Sequence, residues 1–147
     1  MTEEEFDYKS LLGYKRGEPI RFSQFIESFI EEPEGMLRTS AGLILESIKH
    51  FGFEILVRSG EPILRYKIFH DLFSNGINAV YGQELCIKRI IDVIDSVDKE
   101  AGPKRGIVLV GPPASGKTNI VDLISQALEE YTKERNVKLY SFYWKLE

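Results

Sequence analysis

Apolar positions along this chain follow two rhythms, one of helices and one of strands. Phe22, Phe25, Ile26, Phe29 and Ile30 recur at helical spacing after Ser23, a plausible N-cap, and predict a helix to about Glu32 that Pro33 and Gly35 stop. A second helix is expected from about Leu37 to Phe51, burying Leu37, Ala41, Ile44, Leu45 and Ile48 and ending at Gly52. A third runs from Gly82 to Ala101 with Leu85, Ile90, Ile91, Ile94 and Val97 on one face, closed by Gly102-Pro103. The fourth, Asn119 to Tyr131, carries Ile120, Val121, Leu123, Ile124, Ala127 and Leu128. Four β-rich runs interleave with these helices. Phe53 to Arg58 and Ile63 to Phe69 read as a hairpin across Ser59-Gly60-Glu61-Pro62, and Ser74-Asn75-Gly76 reads as a further turn. Ile107 to Val110 reads as a fully buried strand, and Val137 to Trp144 as another.

Composition narrows the class. With 43% hydrophobic and 29% charged residues in 147, the chain has the makeup of a globular protein, and a net charge of −4 offers no basic field for nucleic acid or an anionic membrane. The pairs Lys15-Arg16, Lys88-Arg89 and Lys104-Arg105 are scattered and read as solvated surface. The single cysteine, Cys86, excludes an internal disulfide and reads as a small core residue, and two histidines are too few for a zinc site. Acidic Glu3, Glu4 and Glu5 stand where a secretory signal is basic, and no run is long enough to span a membrane, so a cytoplasmic location is expected.

The candidate chemistry sits between the strand at 107–110 and the last helix. Gly106-Ile107-Val108-Leu109-Val110 leads directly into Gly111-Pro112-Pro113-Ala114-Ser115-Gly116-Lys117-Thr118, which fits G-x-x-x-x-G-K-[ST], the Walker A P-loop. Glycines let the backbone wrap a phosphate chain so that successive amides point at the anion, and the following helix adds the positive end of its dipole. Lys117 is then the point charge for the β/γ-phosphates, Thr118 the hydroxyl for a Mg²⁺ bridging them, and Ser115 a small side chain with another amide. The expected ligands are therefore ATP and Mg²⁺. Hydrolysis needs a second acidic strand end, and residues 119 to 147 contain none. Ile90-Ile91-Asp92-Val93-Ile94-Asp95 imitates one, but at helical spacing, so Asp92 and Asp95 read as solvent-facing helix positions. Arg135 reads as a surface residue, and no catalytic residue can be assigned.

Upstream of the loop, Val80-Tyr81-Gly82-Gln83 followed by a helix and the P-loop strand resembles the opening of an AAA+ ATPase module. There the resemblance implies that Val80, Tyr81 and Gly82 lie against the adenine. The longer text Asp71-Leu72-Phe73-Ser74-Asn75-Gly76-Ile77-Asn78-Ala79-Val80-Tyr81-Gly82-Gln83-Glu84 resembles the PrkA family of AAA+ proteins, described as serine protein kinases, and the likeness extends over residues 22 to 144. The implied fold is α/β: the start of an AAA+-like P-loop NTPase, strand–P-loop–helix–strand, preceded by a small helical region with a β-hairpin. Three regions follow: a loosely ordered lead-in over 1–20, a small α+β region over 21–70, and the first part of a nucleotide-binding domain over 71–147. Family members continue through Walker B, sensors and an arginine finger, assemble as rings, and act on protein substrates. The chain is accordingly expected to hold a nucleotide without splitting it, to bind neither nucleic acid nor membrane, and to leave strands 107–110 and 137–144 with unpaired apolar edges.

Two other readings compete. G-P-P-x-S-G-K-T also suits small-molecule kinases of the nucleoside or nucleotide type, although these place the loop near the chain start and a lid after it. Alternatively Phe22, Phe25, Phe29, Phe51, Phe53, Tyr66 and Phe69 form the contact surface of an interaction module, or else the core of a small domain.

Overall fold

A computed structural model of the chain describes residues 19–58, 60–100 and 106–142. Most of the lead-in, Ser59 of the hairpin turn, the Gly102-Pro103 stop and residues 143 and 144 of the last strand lie outside these residues. The chain divides into two units, meeting at Met36 and Leu37.

In the first unit, α1 spans Phe22–Glu31 and α2 spans Pro33–Met36. Arg21, not Ser23, is the N-cap: its backbone is extended, and its amide donates to Gln24 Oε1 at 2.9 Å. Ser23 falls inside the first turn. Pro33 ends one helix but opens the next, because a first-turn position needs no amide hydrogen and the ring already holds a helical φ. The apolar stripe has the expected period, yet none of the residues of α1 is buried, and Phe22 and Phe25 stack on each other at 6.1 Å.

The second unit is three helices packed around the base of a hairpin: α3 (Ser40–His50), β1 (Phe53–Arg58), β2 (Glu61–Tyr66), α4 (Glu84–Asp98) and α5 (Lys117–Glu134). Leu45 and Ile48 from α3, Ile87, Ile90 and Ile91 from α4, and Ile120, Leu123 and Ala127 from α5 interlock in one core with Tyr66, Ile68, Phe69 and Val80. Thr39 starts α3 by accepting from Gly42 N at 2.8 Å and donates to Asp98 Oδ1 at the far end of α4. Thr39→Ala removes both bonds. A loss of about 1 kcal/mol is expected in urea unfolding, whereas Thr39→Ser should stay within about 0.5 kcal/mol of wild type. At the other end Gly52, with φ of +82°, turns the chain out of α3. The helices α3 and α5 are also tied by His50 Nε2 and Glu134 Oε2 at 2.8 Å and by Tyr131 Oη donating to Glu46 Oε2 at 3.1 Å.

Several expectations need correction. Leu37 is 67% exposed because α3 begins only at Ser40, and Leu85 is 62% exposed because Ile87 takes the inward place in the first turn of α4. Strand β2 runs Glu61–Tyr66, pairing antiparallel with Phe53↔Tyr66 and Arg58↔Glu61 in register, so Glu61 and Pro62 belong to the ladder and not to the turn. Lys67–His70 is a single 3-10 turn, which puts both Ile68 and Phe69 into the core where a continued strand would send them to opposite faces. The largest difference concerns the run before the P-loop. Residues 106–110 form no strand with any described residue, Val108 and Val110 are 83% and 90% exposed, and Leu109 packs against the core. The segment 137–142 is likewise without strand pairing, with Leu139 and Phe142 exposed. A strand exists only through the neighbour that takes its amides and carbonyls, and β1–β2 is the one sheet among the described residues.

Asp92 and Asp95 pair with Lys88 and Lys99 along α4, each at 2.6 Å, as ordinary i, i+4 helix pairs. Cys86 is half-buried against the core. No helix of the described residues is long and apolar enough to cross a membrane.

Candidate functional site

The loop Gly111 to Thr118 turns sharply into α5, which begins at Lys117 itself, earlier than the Asn119 expected from periodicity. Two positive φ angles make the turn: Gly116 at +76°, a position that favours glycine, and Ala114 at +59°, a left-handed conformation uncommon for an L side chain. The loop also closes tightly across its neck. A Cβ on Gly111 would stand 3.0 Å from Ser115 Oγ, a close approach that the serine side chain would have to ease by shifting.

Lys117 curls back over this ring. Its Nζ donates to Gly111 O at 3.0 Å, Pro112 O at 2.6 Å and Ser115 Oγ at 2.9 Å, so an ammonium is held at the centre of the loop by three oxygen acceptors. Residues 111–114 and Thr118 are exposed, and Ser115, Gly116 and Lys117 are half-buried, leaving the loop open to solvent. An anion entering it meets a positive charge already in place beside a helix N-terminus.

The second half of the site comes from the 71–83 segment. Asp71 organises it: the residue is 1% exposed, has φ of +54°, and its two carboxylate oxygens accept from Ser74 N at 3.0 Å and Asn78 N at 2.8 Å. Asn75 and Gly76, with φ of +54° and +84°, complete the turn, and Val80 N then donates to Phe69 O at 2.8 Å. These bonds aim Val80 at the loop, where its methyls would lie 3.6 and 3.7 Å from a Cβ on Gly116. Asn119 Nδ2 adds a bond to Asn78 O at 3.1 Å, joining the first turn of α5 to the same segment.

A cleft of about 430 Å³ opens between the two parts, lined by Ala79, Val80, Tyr81 and Gln83 on one side and Ala114, Ser115, Gly116 and Asn119 on the other. That volume lies within the roughly 300–1,000 Å³ of small-molecule sites. Of the expected base-contact residues, Val80 and Tyr81 line the cleft, and Gly82 does not; Gln83 and Ala79 take its place. Gly111 and Pro112 accept from Lys117 Nζ, and Gly111, Pro112, Pro113, Lys117 and Thr118 are not among the residues that line the cleft. Asn119 and Arg65 lie outside both motifs, and Asp71 enters the sequence reading only as the first residue of the family-like stretch, without a role. Asp71 followed three residues later by Ser74 is a recognisable Asx-turn pattern, whereas Arg65 carries no local signal.

Behind Tyr81 lies a charged cluster. The Arg65 guanidinium sits 4.9 Å from the ring centroid of Tyr81, with Glu54 Oε1 at 3.5 Å and Glu84 Oε1 at 3.7 Å, and the His70 ring is 5.9 Å from that of Tyr81. Glu84, itself buried, accepts from Gly82 N at 3.2 Å. No group of three or more His, Cys, Asp or Glu residues is arranged to hold a metal among the described residues. Comparison of the chain with protein-family models, with curated proteins and with solved structures finds no match.

Proposed function

We propose that the chain binds ATP with Mg²⁺ through Gly111–Thr118, as the nucleotide-holding part of a cytoplasmic AAA+ protein of the PrkA type. One observation carries this reading: two segments more than thirty residues apart in sequence, each singled out by its own motif, line a single cleft of about 430 Å³. The loop supplies a helix N-terminus and the Lys117 ammonium for the phosphates, and Val80 and Tyr81 supply an apolar wall for the base. Thr118, exposed in the first turn of α5, is the Mg²⁺-side hydroxyl. The residues serve for binding; phosphotransfer to protein serine, or ring-based remodelling, belongs to the wider family resemblance. Titration with ATP tests the proposal. Mg²⁺ is expected to tighten binding to wild type, and Thr118→Val to abolish most of that gain, about tenfold, while leaving metal-free binding unchanged. Wild-type binding that ignores Mg²⁺ would contradict the assignment of Thr118.

A second role, as an interaction module, is favoured by the exposed part of one hairpin face. Phe53, Ile55, Val57 and Leu64 are exposed there, whereas Tyr66, opposite Phe53 on the same face, and Phe69 lie in the core with Phe51 packed against it, so these three expected contact aromatics are not part of a surface. Together with the unpaired residues 106–110, this much apolar surface predicts concentration-dependent self-association in sedimentation, reduced by the pair Ile55→Lys and Val57→Lys. A sharp, concentration-independent thermal transition of a monomer would contradict it.

A further inference from the structure

We infer that Arg65, on the hairpin and outside both motifs, is the positioning residue that sets the base end of the cleft, so that preference for a nucleoside triphosphate over a bare polyphosphate depends on it. The inference rests on the nucleotide reading and deepens it. Three contacts support it. Arg65 pairs across the ladder with Glu54, and its side chain is only 18% exposed. Its guanidinium carbon stands 4.9 Å from the centroid of Tyr81, within the range of a cation–π contact. Its Nη2 lies 3.7 Å from Glu84 Oε1, the same oxygen that accepts from Gly82 N.

One side chain therefore reaches both ends of a two-residue step. It touches the ring of Tyr81 and the carboxylate that holds the backbone of Gly82, a residue with φ of +77° and open space around it. Tyr81 is 63% exposed and lines the cleft, so its rotamer depends on the two planes set against its ring, the Arg65 guanidinium and the His70 imidazole, of which only Arg65 also reaches the carboxylate that holds Gly82. The charge balance indicates what Arg65 does not do. Two carboxylates, Glu54 and Glu84, already compensate it, and Lys117 is the cation at the loop. Arg65 is thereby suited to orienting an aromatic wall, and not to receiving phosphate.

The test uses the full chain and two probes, Mg·ATP and Mg·tripolyphosphate, titrated calorimetrically. Wild type is expected to bind ATP more tightly than tripolyphosphate. Arg65→Met should weaken ATP about tenfold and leave tripolyphosphate within about twofold, and Tyr81→Ala should do the same. Combined, the two substitutions should cost no more than either alone, because both remove one arrangement. Arg65→Lys keeps the charge facing Glu54 and Glu84, and so preserves the fold should Arg65→Met lose it. An ammonium has no plane to lay on the ring, so the same selective loss is expected. An equal fall for both probes in Arg65→Lys, or no fall for ATP, would overturn the inference and leave the P-loop reading standing. Equal wild-type affinity for the two probes would do likewise. A wild-type chain that binds neither probe would overturn the nucleotide reading itself, and this inference with it.

Discussion

Replacing Lys117 with alanine is expected to weaken Mg·ATP binding about 100-fold, the equivalent of a charge-assisted contact of about 3 kcal/mol, while changing the stability of the free chain by less than about 0.5 kcal/mol. The asymmetry follows from where Nζ is bonded. Its acceptors Gly111 O and Pro112 O belong to exposed loop residues, so their carbonyls can turn to water once the ammonium is gone. A bound polyphosphate has no such substitute, because the attraction between ammonium and phosphate has to be made at this point of the loop. Calorimetric titration and urea unfolding of the same variant separate the two quantities. A variant that loses stability and affinity together would indicate that Lys117 holds the loop in shape and does no more.

Asp71→Ala is expected to be the most damaging single change to the fold around the site, lowering stability by about 3 kcal/mol. Its carboxylate is buried and satisfies two backbone amides, Ser74 N and Asn78 N; alanine leaves both without an acceptor and must also adopt φ of +54°. Asp71→Asn tolerates that conformation better but keeps only one acceptor oxygen, so an intermediate loss of about 1–2 kcal/mol is expected. Since the same two bonds shape the segment that delivers Val80 and Tyr81, the alanine variant should also lose ATP affinity at concentrations of denaturant where wild type is still folded. Chemical denaturation followed by far-UV circular dichroism measures the first effect, and ATP titration at fixed low urea the second.

Helices were the most legible part of this chain, and the reason is local. Leu45, Ile48, Ile90, Ile91, Leu123 and Ala127 recur at the helical period and are the residues that become buried. The period alone does not say where a helix begins, which is how Leu37, Leu85 and Ser23 were misplaced. Strands were less legible because their hydrogen bonds lie on another segment. The hairpin supplies its own partner and formed; Ile107 to Val110 is just as apolar but pairs with no described residue. For the site, the glycine spacing and Lys117 were readable because the motif is contiguous. The cleft was readable only in part: Val80 and Tyr81 came from a family likeness, while Arg65 reaches them through the fold of a hairpin and leaves no trace in local spacing.

The claim on which the rest depends is that the Val80–Gly82 segment and the Gly111–Thr118 loop serve one ligand. Amide chemical-shift mapping on addition of Mg·ATP tests it most directly. The account predicts that the largest shifts appear together in Gly111, Ser115, Gly116, Lys117 and Thr118 and in Val80, Tyr81 and Gly82, saturating at one common ATP concentration. Shifts confined to either segment alone, or saturating at different concentrations in the two, would contradict it.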